Sequence, residues 1–438
     1  MSDVMVIFLI CMLILMALLF LGVPIPYCFA GALIFLILNT EIPIRTLLIW
    51  GYSQMISPTL LAAPMFIVAG NLIGESGIAE RLLEVARIFV GKIKGALGVV
   101  CVITCGVIGA ISGSAFTGLA SLGTILIPEL RKEGYSNGFA TALITCSSIL
   151  GVLIPPSVPL IIYGWTTNTS ILAAFLSTVI PGVMTILTFS IINLVYARKF
   201  AVAEPAEEKT EEETERLPGK RKVIIGAIPA LMMPVIILGG IYGGIFTASE
   251  AASVCAVIAL IVGIFFYRRL KGRNIIGTFR KTSSSIGAIF MMIYFSMLMS
   301  QVLTQLQIPQ KLVEVFLGIT DNKYLVLLIL NIFLLLVGMI VNDSTAILLV
   351  APLLLPVAQS YGISSVQFAA IMVVNLAAGG LTPPYASILY FGMRIGHVKM
   401  GELMKSVLVF LLVGYLPVML ATTYIEPVTM FLPRLFGY

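Results

Sequence analysis

Charge is scarce in this chain, and histidine scarcer still. Charged residues fill 11% of the 438 positions, where a soluble domain carries roughly 25%. The one histidine, His397, lies between Arg394 and Lys399 at a helix end, where solvation or pairing with the helix dipole accounts for it. There is no G-x-S-x-G, no H-E-x-x-H and no P-loop, and no general base or nucleophile can be assembled, so the chain reads as a non-enzyme. The six cysteines (Cys11, Cys28, Cys101, Cys105, Cys146 and Cys255) all sit in apolar segments. Cys101 and Cys105 are one turn apart, but no His or acid joins them at a zinc-like spacing, so they read as small core-filling residues. The first apolar stretch, Val4 to Leu21, lacks a basic n-region and a small-residue cleavage site, which makes it a retained helix and not a signal peptide.

What fills the chain instead is hydrocarbon. Hydrophobic residues make up 59% of it, mean hydropathy is +1.10, and many runs approach the ~20 residues needed to cross a bilayer. These numbers describe an all-α polytopic membrane protein. The net charge of +6 carries no nucleic-acid signal here; the placement of the charges reports topology instead.

Two short breaks interrupt the apolar helices. One is Gly151-Val152-Leu153-Ile154-Pro155-Pro156, the other Gly379-Gly380-Leu381-Thr382-Pro383-Pro384. Two adjacent prolines remove two amide donors, and the residue before each is pushed out of the α region. The helix must unwind there, leaving carbonyl oxygens that lipid tolerates only inside protein or along a polar cavity. A shift of 228 residues places Pro128 on Pro356, Gly134 on Gly362, Gly151 on Gly379, Pro155-Pro156 on Pro383-Pro384 and Gly164 on Gly392. With a two-residue gap, Ile78 to Val85 resembles Ile308 to Val315. The chain therefore reads as an internal duplication.

The first half spans residues 1–197: scaffold helices over 1–91, a helical hairpin over 95–133 turning at Ser112-Gly-Ser114, a broken helix over 137–166 and a crossing over 172–197. Within the scaffold, Ile42 to Ile56 and Ile78 to Val90 are amphipathic and expected to lie along an interface, with a crossing from Pro58 to Gly74 between them. Residues 198–222, rich in Glu and Lys, form a solvated linker. The second half, 223–438, repeats the order with scaffold helices over 223–319, a hairpin over 323–359, a broken helix over 365–395 and a last crossing over 403–425. Here Thr247-Ala-Ser-Glu250 gives a capping-box start, and the basic cluster Arg268 to Lys281 leads into a helix expected from Ser283. Placing the linker in the cytoplasm puts all but four of the 26 basic residues inside, the exceptions being Arg45, Lys311, Lys323 and Arg434. Both termini then lie outside, the two hairpins are re-entrant from opposite sides, and the two repeats are inverted, with their breaks meeting near the midplane.

Hard cations favour oxygen ligands, and unwound carbonyls supply them. A first sodium site combines Ser112 and Ser114 with the carbonyls of Gly151, Ile154 and Pro156. The repeat predicts a second from Asn342, Asp343 and Thr345 with Gly379, Thr382 and Pro384. Asp343 is an acid at the tip of an apolar hairpin, a costly position that marks a functional candidate; its competing role is to cap the helix that starts at Ser344. For Ser112 and Ser114 the alternative is a turn packed through small residues. No Arg or Lys falls within a hairpin or break, so a carboxylate solute is left with hydroxyls and half-helix N-termini, among them Ser157, Tyr385 and Ser387.

At these motifs the chain resembles the large membrane subunit (M subunit, DctM-like) of the tripartite ATP-independent periplasmic (TRAP) transporters, within the ion transporter superfamily. The residues carrying the resemblance are both Pro-Pro breaks, Ser112-Gly-Ser114, Asn342-Asp343 and Gly243-Gly-Ile-Phe-Thr-Ala-Ser-Glu250, where the family's Thr-Pro-Thr-Glu has become Thr247-Ala-Ser-Glu250. The resemblance implies a sodium-driven, elevator-type importer in a bacterial or archaeal cytoplasmic membrane. It implies a small four-helix membrane subunit and a periplasmic solute-binding protein as partners, and an organic acid (a C4-dicarboxylate, a sialic acid or a similar carboxylate) as solute. It carries cation roles onto Ser112, Ser114, Gly151, Ile154, Pro156, Asp343, Gly379 and Thr382. The chain begins directly at the large subunit, so the small partner is expected as a separate polypeptide. A one-component symporter or exchanger of the superfamily, an ion channel and a scaffold protein remain as rival readings.

Overall fold

The computed structural model describes residues 3–90, 94–200, 220–383 and 386–438, and every regular element among them is a helix. In chain order these are α1 (Asp3–Phe20), α2 (Ile25–Leu38), α3 (Ile44–Met55), α4 (Ala62–Ser76), α5 (Ile78–Val90), α6 (Ala96–Ser112), α7 (Ala115–Lys132), α8 (Asn137–Ser147), α9 (Leu150–Leu153), α10 (Val158–Thr167) and α11 (Ile171–Phe200). After residues 201–219 come α12 (Lys220–Tyr242), α13 (Ala248–Ile261), α14 (Gly272–Gln305), α15 (Ile308–Ile319), α16 (Lys323–Gly338), α17 (Asp343–Ser360), α18 (Ser365–Gly379), α19 (Ser387–Gly396), α20 (Met400–Val409), α21 (Leu416–Tyr424) and α22 (Glu426–Leu435). Among the described residues eight helices are long and apolar enough to cross a membrane, or nine if α4 and α5, bent by 68° at Gly77, count as one.

Burial sorts these helices. The span Asn137–Thr167, which holds the first break, is 94% buried, whereas Val223–Tyr242 and Lys323–Ile340 are each only 33% buried. The broken helix is thus enclosed by protein, as unwound backbone in a membrane must be. Around it stand helices with exposed apolar faces; on α11, Val183, Leu187, Ile191 and Val195 form an exposed stripe at i, i+4 spacing. In a bilayer such a face meets hydrocarbon at no cost.

Several boundaries differ from the sequence expectation for local reasons. Residues 57–61 make tight turns, with Leu60 N–H on Ser57 O and Ala62 N–H on Thr59 O, so the helix expected from Pro58 begins at Ala62. Helix α14 begins at Gly272 and not near Ser283, because its first turns are basic and an apolar pattern does not register them. The first broken helix is in three pieces, with an added interruption at Ser148 and Ile149 before α9. The last crossing carries a π turn at Phe410–Tyr415, and α22 after it was not anticipated. Part of the expected linker is helical: α11 runs to Phe200 and α12 starts at Lys220, while 201–219 lie outside the described residues.

The two broken helices pack on each other across the halves. Space for a methyl group at Gly392 and Gly396 of α19 is taken by Thr145 Oγ1 and Thr141 Oγ1 of α8, at 2.1 and 2.2 Å. Asn137 Nδ2 donates to Gly396 O at 3.2 Å. Small residues let membrane helices approach closely enough for dispersion and Cα–H···O contacts, which surround the hydroxyls of Thr141 and Thr145, unpartnered among the described residues. Gly392→Ala should cost about 1–3 kcal/mol by overpacking, read as a lower Tm in detergent. Adding Thr145→Ala should recover most of it, since the two groups compete for one space.

The base of the first hairpin is tied to α11. Asn193, fully buried, donates Nδ2 to Gly95 O at 2.8 Å and accepts from Tyr135 OH at 3.1 Å. Burial pushes the Tyr135 phenol above its ordinary range, so it stays protonated and remains a donor.

Candidate cation and solute site

At the first hairpin, α6 ends in Gly113 with φ +64°, a left-handed conformation that lets α7 start immediately after Ser114. The turn rests on the break. A methyl group at Gly151 would lie 2.7 Å from Ser114 O, and one at Gly113 would lie 2.8 Å from Pro156 O. Val158 N–H donates to Gly113 O at 3.2 Å. One turn before the tip, a methyl at Gly109 would lie 2.5 Å from Gly151 Cα. Ser112, Ser114, Gly151 and Pro156 are therefore gathered in one place by backbone contact, around a Pro155–Pro156 bond that is cis.

Ile154 is extended at the end of α9, its amide on Leu150 O at 2.8 Å. Its side chain packs between Gly106 of α6 and Gly182 of α11, so its part in a cation site falls to its carbonyl. Ser112 is fully buried, and its hydroxyl is 3.5 Å from Ser114 O. Ser114 sits at the N-cap of α7 without a side-chain cap bond, which leaves its oxygen uncommitted to the helix. Ser157, at the N-cap of α10, is fully buried and its Oγ has no hydrogen-bond partner among the described residues.

At the second hairpin the same kind of contact recurs. A methyl group at Gly379 would lie 2.4 Å from the carbonyl carbon of Gly338, so the break touches the end of α16, just before the turn carrying Asn342, Asp343 and Thr345. The cap of α17 is Asn342 and not Asp343: Asn342 Oδ1 accepts from Thr345 N–H at 2.9 Å and from the Thr345 hydroxyl at 2.6 Å. Thr345 Oγ1 also lies 2.7 Å from Met292 Sδ of α14. Asp343 opens α17, half-buried, with Oδ1 accepting from Ser344 N–H at 2.8 Å. Its carboxylate thus lies over the positive end of the helix, where anions are favoured. The hydroxyl of Thr382 donates to Ala378 O at 2.9 Å and its amide to Gly379 O at 2.9 Å. Ser387 begins α19 after Ala386, whose left-handed φ of +36° is held by Ile388 N–H on Gly380 O. Pro384 and Tyr385 lie outside the described residues.

Sequence reasoning missed the outer contacts of these turns. Gly70 of α4 leaves room for Ser112, whose Cβ would be 3.1 Å from a methyl there. Cys255 of α13 points its thiol at Ile111 O, 3.8 Å away. Neither partner carries a motif, so only three-dimensional proximity reveals it. Among the described residues no three His, Cys, Asp or Glu side chains cluster in a metal-binding arrangement. The donors gathered at the two turns are backbone carbonyls, hydroxyls, amide oxygens and one carboxylate, a set suited to a hard, weakly bound cation.

Residues 12–428 match the family described as "Tripartite ATP-independent periplasmic transporter, DctM component". The chain is 34% identical over 429 residues to the sialic acid TRAP transporter large permease protein SiaM of Vibrio cholerae, covering 97% of this chain and 98% of that one. It is 33% identical over 412 residues to the C4-dicarboxylate TRAP transporter large permease protein DctM of Pseudomonas aeruginosa, covering 93% of each. The isethionate TRAP transporter permease protein DctMQ of Oleidesulfovibrio alaskensis is 32% identical over 411 residues, which cover 94% of this chain and 64% of that protein. Among solved structures, the YdaH transporter of Alcanivorax borkumensis superimposes with a TM-score of 0.57 at 15% identity, over 88% of this chain and 89% of that one. At that identity the likeness is one of fold.

Proposed function

The chain belongs to the DctM component family of the tripartite ATP-independent periplasmic transporters, and we propose that it imports a small organic acid by coupling to sodium, through an elevator movement of its two hairpins and two broken helices. As a transporter permease of many apolar helices it is a multi-pass membrane protein and not an enzyme. The observation that carries the proposal is the meeting of each hairpin with a break, Ser114 on Gly151 and Gly338 on Gly379, in backbone contact. In this reading the two halves are inverted repeats. Sodium is the co-transported ion at two sites: Ser112, Ser114, Gly151, Ile154 and Pro156 hold one, and Asn342, Asp343, Thr345, Gly379, Thr382 and Pro384 the other. At the second site, Thr345 and Thr382 contribute through the carbonyl and hydroxyl oxygens that their caps leave available. Ser157, Tyr385 and Ser387 meet the solute.

The substrates named for the relatives, a sialic acid, C4-dicarboxylates and isethionate, are small organic anions and support an organic-acid solute here. Inward movement of net positive charge with sodium would gain from the potential, about 2.3 kcal/mol per net charge at 100 mV. A small membrane subunit and a periplasmic solute-binding protein complete the assembly; the fused name DctMQ of one relative fits a closely associated small subunit.

Uptake of radiolabelled carboxylates into proteoliposomes holding this chain, its small subunit and a binding protein tests the reading. Uptake should require an inward sodium gradient and fall to background when potassium replaces sodium. It should also vanish without the binding protein. Sodium-dependent uptake that ignores the binding protein would identify a one-component symporter instead.

A further inference from the structure

The first turns of α13 border an open groove of about 540 Å³. Its floor is apolar, formed by Leu61 at the N-cap of α4, Met65 of α4, Phe246 and Val254. Its rim is polar and carries one charge, with Ser249, Glu250 and Ser253 beside one another, and among the described residues no Lys, Arg or His lines it. The carboxylate is fixed in place: Glu250 Oε2 accepts from Thr247 N–H and from the Thr247 hydroxyl, each at 2.8 Å, while the residue stays exposed. Below Val254 the same face of α13 and of the π turn Val262–Phe266 that follows it continues as exposed Val257, Ile261 and Phe265, 53%, 44% and 69% accessible. From Glu250 to Phe265 that stripe runs roughly 22 Å at the helical rise, enough to accompany an acyl chain through one leaflet of a bilayer ~30 Å thick.

We propose that this groove is a binding site for a phospholipid with a primary ammonium headgroup, of the phosphatidylethanolamine class. The ammonium group sits against Glu250 and the serine hydroxyls, and the acyl chain follows the Val254–Phe265 face. Charge decides the headgroup. A lone carboxylate with hydroxyls and no base attracts a cation and repels an anionic glycerol headgroup, and a choline offers no N–H to donate. Continuity points to a lipid, because the groove opens onto the exposed apolar face of Val257, Ile261 and Phe265, which an acyl chain can cover. The site lies at the end of α13 away from Arg268 and Arg269.

The test compares spin-labelled phosphatidylethanolamine, phosphatidylcholine and phosphatidylglycerol bound to the purified full chain in nanodiscs, with wild type, E250Q and V254W. Glutamine at the third helical position still completes a capping box, so E250Q removes charge without removing the cap. Wild type should retain phosphatidylethanolamine at least fivefold over the other two. E250Q should lose that preference, and V254W should lower retention of every lipid, both at unchanged Tm. Equal retention of ethanolamine and choline lipids, or a preference that survives E250Q, would overturn the proposal. So would a V254W chain that folds and binds like wild type.

Discussion

Asp343→Ala should reduce sodium-driven uptake by roughly 30-fold or more, the equivalent of about 2 kcal/mol for losing a charged ligand. The expectation rests on a division of labour at the second turn. Asn342 does the capping, through Thr345 N–H, so α17 does not depend on Asp343 for its N-cap. The carboxylate accepts its neighbour's amide at 2.8 Å and does not hold the N-cap. If the proposed cation site is correct, Asp343→Ala should raise the sodium concentration needed for half-maximal uptake, and Asp343→Asn should lie between wild type and alanine. Asn342→Ala should behave differently, lowering Tm by removing a cap worth ~1 kcal/mol. Uptake unchanged in Asp343→Ala would reduce the residue to a favourable charge at a helix end, and sodium coupling at the second site would fall with it.

The second large effect is expected at the glycines where hairpin meets break. A methyl group at Gly379 would stand 2.4 Å from a backbone carbonyl carbon, and one at Gly151 would stand 2.7 Å from Ser114 O. Backbone cannot step aside as a flexible side chain does, so the turn and the break must part. Gly151→Ala and Gly379→Ala should each cost about 1–3 kcal/mol of stability and abolish uptake, because the carbonyls move relative to the hydroxyls. Gly118, with open space around its Cα, is the control: Gly118→Ala should leave Tm and uptake near wild type. Folded Gly151→Ala protein that still transports at the wild-type rate would show that the contact of turn and break is not needed for binding.

Much of this was legible in the residues because it is local. Gly-Val-Leu-Ile-Pro-Pro and Gly-Gly-Leu-Thr-Pro-Pro forbid a continuous helix by the chemistry of proline itself, and helices do end at Leu153 and Gly379. Thr247-Ala-Ser-Glu250 announces its capping box, and both reciprocal bonds are present. Long apolar runs require helices, and helices are what form. Where the signal was not apolar it failed: the basic first turns of α14 and the short α22 went unread, since hydropathy does not see a helix beyond the hydrocarbon.

By itself, then, the sequence determined the class of the molecule, its helices and the two points where they must break, because these follow from backbone preferences and the solvation of each segment. Only the tertiary structure decided what the breaks touch. That Gly109 seats Gly151, that Thr145 fills the notch at Gly392, and that Asn137 reaches Gly396 from 259 residues away are facts of packing. The physical reason is that glycine looks alike in every context along the chain. Whether its missing side chain is a turn, a notch or empty space depends on which distant backbone arrives beside it.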